Sequence, residues 1–228
     1  MKIIYTLLFT FCQGIVLAQS NSNTKYFEGV VEYDIKTESY MQGVSANEIR
    51  EREGSTLKLH FKNGDYMREY IDGAGYTLKR FLYRKDKNMI YLYYPIASPD
   101  TLYFASANDS TYESFEIATG KAEKVLEYEC PSSIITGKYV TPYLPDTATM
   151  SLTYFFCSQL QVNPDWHKDI YIWNEVIKIY KSIAIKFIED DPFFFKQTFT
   201  ATKITWQTID DAIFKIDPKL VLKKLSKE

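Results

Sequence analysis

The chain has 228 residues, with 27 Lys plus Arg against 29 Asp plus Glu, for a formal charge of -2. Apolar residues make up 46% and charged residues 25%, a globular balance that excludes intrinsic disorder, a collagenous fibre and a polytopic membrane protein. With no excess of cations to displace counterions from a phosphate backbone, the composition also argues against a nucleic-acid binder. The unusual figures are 19 Tyr, 15 Phe and 3 Trp against 2 His, so rings are abundant while bases and metal ligands are scarce.

Residues 1–18 read as an address. Lys2 precedes an apolar run from Ile3 to Leu17 that is shorter than the ~20 residues needed to span a bilayer. Small Ala18 stands two residues after Val16, the pattern of a secretory signal peptide cleaved after Ala18. Bulky Phe11 before Cys12 does not suit a lipoprotein cleavage site. The expectation is a periplasmic or secreted protein with no transmembrane segment once the leader is removed. Loss of Cys12 leaves Cys130 and Cys157, an even pair in an oxidising compartment and a disulfide candidate; two buried free thiols are the alternative.

Residues 19–25 form a polar lead-in, and 26–218 read as a single, mainly β domain followed by a basic tail at 219–228. In YFEGVVEYDIK, Phe27, Val31, Tyr33 and Ile35 alternate with Glu28, Glu32, Asp34 and Lys36, the period of a strand with one buried face. TLKLHFK repeats the pattern, and Asn63-Gly64 then supplies a tight hairpin turn into DYMREYI. Asp72-Gly73 predicts the next hairpin, before YTLKRFLYRK, and Lys85–Asn88 a turn into MIYLYYP. Further strands are expected at 101–105, 112–117, 132–140 and 149–157, then in SIAIKFIE and FFFKQTFTATKITWQT. Successive hairpins predict an antiparallel meander.

Helix is expected in two places. Ser45 as N-cap with Glu48 three residues later forms a capping-box signature for residues 45–53. Asn163-Pro164-Asp165 then starts a second helix, on which Trp166, Ile170, Trp173, Ile177 and Tyr180 recur at spacings of four and three as one apolar stripe. DDAIFKIDP is expected to be extended and LVLKKLSKE to be frayed.

The opening FEGVVEYDI, the central KVLEYEC and the closing FTATKITWQTIDDAIFKID, taken in this order, resemble a large family of uncharacterised exported bacterial proteins related to the outer-membrane lipoprotein carriers. Glu127 stands where that family usually has Gly. The resemblance implies a strongly curved antiparallel sheet, an unclosed half-barrel, with short helices in its concave mouth. It also implies carriage of an acyl chain there.

Chemistry is hard to find in the residues. His60 sits between Lys58 and Lys62 on the polar face of a strand and reads as solvated. His167 has Asp165 and Asp169 nearby, but a spacing of two sends them to different helix faces, against a metal site. No G-x-S-x-G elbow or phosphate loop is present. The expectation is therefore a non-enzymatic protein without a cofactor. Clusters such as Tyr91-Leu92-Tyr93-Tyr94, Tyr154-Phe155-Phe156 and Phe193-Phe194-Phe195 put rings on both faces of their strands, where one apolar face would suffice. Either other elements cover the second row as core, or it lines a concavity for an apolar ligand. The candidate lining is Tyr33, Phe61, Tyr91, Tyr93, Tyr154, Phe156, Trp166, Trp173 and Phe194. Two functions fit: binding of a lipid-like ligand, or an envelope protein-interaction module with a packed core and an exposed apolar edge. A hollow well above ~300 Å³ marks the first, and a core without one the second.

Overall fold

The computed structural model describes residues 25–109, 113–139 and 147–225; the leader and nearly all of the polar lead-in lie outside the described residues. The first half of the chain runs β1 (Gly29–Ser39), α1 (Ala46–Glu53), β2 (Thr56–Lys62), β3 (Asp65–Ile71), β4 (Thr77–Arg84), β5 (Met89–Tyr94) and β6 (Ser98–Ser106). There follow β7 (Ser114–Thr119), the short pair β8 (Glu123–Val125) and β9 (Tyr128–Cys130), β10 (Ser132–Tyr139) and β11 (Ala148–Gln161). A 3-10 turn (Pro164–His167), α2 (Trp173–Tyr180), β12 (Ser182–Asp191), β13 (Phe195–Trp206), a second 3-10 turn (Asp211–Phe214) and β14 (Val221–Lys224) complete it.

Twelve strands form one sheet in the order β14-β6-β5-β4-β3-β2-β1-β13-β12-β11-β10-β7. β1 is the hub. The meander β2 to β6 steps away from it on one side, and β13 back to β10 on the other, so the last long strand closes against the first, with Ile35 opposite Phe199. Gly29 is a steric requirement of this closure. A Cβ there would sit 2.1 Å from the Thr205 carbonyl oxygen on β13, which accounts for the aromatic-Gly opening of the strand.

The sheet is strongly curved and its ends, β14 and β7, do not pair. Four strand-to-strand steps separate β3 from β12, about 19 Å in a flat sheet. Yet the Arg68 guanidinium of β3 lies 5.5 Å from the ring of Phe187 on β12. Only a sheet curled into a trough brings those side chains together.

Local sequence explains most turns. Asn63 and Gly64 both take positive φ (51° and 91°), the two-residue hairpin their types favour. In the next hairpin the Asp72 carboxylate accepts the N–H groups of Ala74 and Tyr76, and Gly75, not Gly73, has positive φ. The capping box of Ser45 and Glu48 is formed in full.

Three expected elements differ. The stripe from Trp166 to Tyr180 is not one helix but a 3-10 turn and a separate α2. The break falls at Ile172, whose φ of 63° and ψ of -51° let the Trp173 N–H reach back to the Tyr171 carbonyl at 2.7 Å. This tight γ-turn is strained for a β-branched residue. DDAIFKIDP folds into a 3-10 turn rather than an extended piece, with the Asp210 side chain capping Ala212. Residues 221–224 of the tail are not frayed: they add to the edge of β6 as the sheet's parallel strand, with Val221 opposite Thr101.

Both faces of the sheet are covered. The larger core lies on the inner, concave face under α2 and the first 3-10 turn. A smaller core on the outer face joins Val30, Met67, Leu82, Tyr91 and Leu102 to Ile209 and Phe214 of the C-terminal segment. That strap is pinned by Lys62, which donates to the Ile209 carbonyl and pairs with Asp211, and by Arg84, which donates to the Phe214 carbonyl.

Candidate functional site

The inner face is the candidate site. Period-two alternation on β1, β2 and β3 sends Tyr33, Leu57, Leu59, Phe61, Tyr66 and Arg68 into the trough, where they meet Tyr154 of β11 and Phe187 of β12. The rings interlock: Phe187 stacks on Phe199 at 4.1 Å, and Phe156 on Tyr180 of α2 at 4.2 Å, while Trp173 meets Tyr154 edge-on at 4.8 Å. Residues 163–181 act as a plug. What is left beneath it is a cavity of about 40 Å³.

Besides the tyrosines, the polar side chains that border this small space are Arg68, His167 and Ser182. His167 is 2% exposed, and its Nε2 donates to the Gly64 carbonyl at 3.0 Å. A carbonyl only accepts, so the neutral ring carries its proton on Nε2 and leaves Nδ1 as an acceptor, which has no partner. Burial drives its pKa down to about 4, against the pull of the Gly64 bond and with the help of Lys85, so the ring is neutral at physiological pH. Arg68 packs among the rings of Tyr66, Phe81 and Phe187 at 5.5–5.7 Å. Among the described residues no carboxylate comes within ion-pair distance of its guanidinium. Glu189 is the acid whose charge acts on it, and burial pushes the Glu189 carboxyl up against the opposing pull of Arg68 and Lys79.

The candidate lining residues separate. Tyr33, Phe61, Tyr154 and Trp173 border the inner cavity, and Phe156 and Trp166 pack beside it, with Trp166 6.2 Å from Phe61. Tyr91 and Tyr93 face the other way. Opposite Leu82 and Arg80 on β4, they stand on the outer face, because Phe81 and Tyr83 take the inward positions of that strand. There they line a larger hollow of about 230 Å³ beneath the strap. Phe194 lies in the turn between β12 and β13, away from both cores.

The disulfide expectation is corrected: Cys130 and Cys157 are both buried free thiols. Each is engaged within its own segment, Cys130 with the Tyr128 carbonyl and Cys157 with the Gln159 side chain. Burial pushes the Cys130 thiol up to about 11 and raises Cys157 as well, which leaves little thiolate for nucleophilic chemistry. His60, read as solvated, is half-buried on the outer face, 3.7 Å from Glu69. Among the described residues no three His, Cys, Asp or Glu side chains gather as a metal site, and no helix is long and apolar enough to cross a membrane.

Sequence reading missed Arg68 and gave His167 no role in a pocket. Arg68 was findable: in DYMREYI it shares a face with Tyr66 and Tyr70, and the Asn63-Gly64 hairpin sets it opposite Leu59, an inward position. For His167 no local signal exists, because its partner Gly64 is 103 residues away.

Fold and site together define an open half-barrel whose internal trough is plugged by its own chain. No protein-family model matches the sequence, and no curated protein does. Among solved structures, LprF from Mycobacterium bovis aligns over 78% of this chain and 85% of its own, at 6% identity and a TM-score of 0.30. A domain assigned as an outer membrane lipoprotein-sorting protein from Vibrio parahaemolyticus aligns over 82% and 89%, at 10% identity and a TM-score of 0.34. Both likenesses are loose, and the functional reading below rests on the geometry of the site.

Proposed function

We propose that this is an exported, non-enzymatic protein that binds a hydrophobic or lipid-like ligand on the inner face of its curved sheet, with residues 163–181 as the part that yields. The carrying observation is the character of the space under the plug. It is walled by Tyr33, Phe61, Tyr154, Trp173 and Phe187, yet among the described residues it retains a cation without an ion pair and an imidazole nitrogen without a donor. A core kept only for packing gains nothing from leaving such groups there. At about 40 Å³ the cavity is far below the ~300 Å³ at which ligand pockets begin, so uptake requires the plug to move. The strained γ-turn at Ile172, next to pocket-lining Trp173, supplies a joint for that movement. The leader and the envelope location it implies belong to the same proposal.

Native mass spectrometry of gently purified protein, with lipid extraction of the same sample and titration with a fluorescent fatty acid, tests this. Bound lipid or saturable uptake is expected. A protein that carries nothing and takes up nothing overturns the reading.

The small cavity itself favours a second reading, a protein-interaction module with a closed core. Its contact surface would be the β14 edge, where Val221 and Leu222 are 64% and 56% exposed. Recovery of a stoichiometric envelope protein lost on Val221→Asp with Leu222→Asp, together with no lipid uptake, would favour it.

A further inference from the structure

The cavity has the size of a head group, not of a chain. At the ~10–15 Å³ that one water-sized sphere needs, about 40 Å³ accommodates roughly three heavy atoms. Its lining cation, Arg68, packs against the rings of Tyr66 and Phe187, and Tyr66 also meets His167, whose Nδ1 has no partner among the described residues: the Tyr66 ring is 5.7 Å from the Arg68 guanidinium and 6.0 Å from the imidazole. Burial raises the pKa of both Tyr66 and Tyr70, so these two phenols beside Arg68 carry no charge, and Glu189 stays outside ion-pair distance. A guanidinium among rings presents a flat fork of donors that suits a carboxylate with two oxygens. A phosphodiester head group exceeds the preformed space.

From the position of Arg68 in this cavity we infer that the ligand is a long-chain carboxylic acid in its anionic form, its carboxylate seated on Arg68 and its hydrocarbon replacing the plug against Tyr154, Phe187 and Phe61. The inference rests on the ligand-binding reading and deepens it. It differs from generic burial of a greasy chain in one respect: charge at the head becomes a requirement. Once seated, the carboxylate gives Arg68 the ion pair that no side chain among the described residues supplies, and it leaves the aliphatic remainder to be held by apolar area alone.

The test compares oleate with oleyl alcohol, which has the same chain and no charge, both below their aggregation concentrations, by direct titration of the full-length protein read from its tryptophan fluorescence. Wild type is expected to prefer oleate by roughly tenfold or more. Arg68→Met should lose that preference while still binding oleyl alcohol as wild type does, which shows that its pocket is folded; Arg68→Lys should keep part of it. Equal affinity of wild type for the two compounds, or a preference that survives Arg68→Met, overturns the carboxylate assignment and leaves lipid binding intact. Failure of wild type to bind either compound overturns the ligand-binding reading and the assignment with it.

Discussion

His167 donates from Nε2 to the carbonyl of Gly64 at 3.0 Å, and this bond ties the plug to the tip of the β2–β3 hairpin. The same glycine faces the plug's neighbouring residue, since a Cβ on Gly64 would stand 2.7 Å from the Trp166 Cβ. Hairpin tip and plug are thus fitted to each other through one backbone carbonyl and one missing side chain.

Stability should fall in acid through His167. Its folded pKa of about 4 lies below the ordinary value of 6.5, so the unfolded chain takes up a proton at a pH where the folded chain does not. Stability is therefore lost as pH drops from 6.5 to 4 and levels off below, by roughly 3 kcal/mol in all. Glu69, held down to about 2 by His60 and Arg80, acts in a separate window, losing its contribution from about pH 4.5 downward. Urea unfolding across this range should show the upper slope flattened in His167→Gln; an unchanged slope there would exclude His167 as its source.

Gly64→Ala should loosen the plug. Positive φ costs an alanine about 1 kcal/mol, and the collision with Trp166 adds to that. Gly75→Ala is the control, because Gly75 also has positive φ but its Cβ would enter open space. Gly64→Ala should lower the unfolding midpoint more than Gly75→Ala and alone accelerate uptake of a fluorescent fatty acid. Equal effects of the two variants would mean that the plug does not bear on Gly64.

Tyr33→Phe probes the tie across the trough. The Tyr33 hydroxyl donates to the Ala184 carbonyl at 2.8 Å, where β12 has no β13 partner because their pairing begins at Lys186. Phenylalanine keeps the ring packing and leaves that carbonyl buried without a donor, for a loss of about 1–3 kcal/mol. Chemical denaturation measures it; a change below a few tenths would mean that water replaces the hydroxyl.

Cys130 and Cys157 should both be silent towards a thiol reagent in the native protein and both react on unfolding. Burial and raised thiol pKa act in the same direction. Titration of free thiols with and without denaturant gives the count; non-reducing peptide mapping that found them joined would contradict the structure.

The alternation on β1 and β2, the Asn63-Gly64 turn and the Ser45–Glu48 capping box were legible in the sequence because each is a local relationship, decided by residues a few positions apart. The aromatic surplus likewise showed that the second row of rings must meet something, whether other elements of the chain or an apolar ligand. What lay in neither pattern was the partner of each face. The curl that brings Arg68 to Phe187, the strap that claims Tyr91 and Tyr93 for the outer face, and the break at Ile172 that divides an apparently continuous stripe all depend on contacts between distant segments. A period of two fixes which residues share a side, while only the closing of β13 on β1 decides which side becomes the inside.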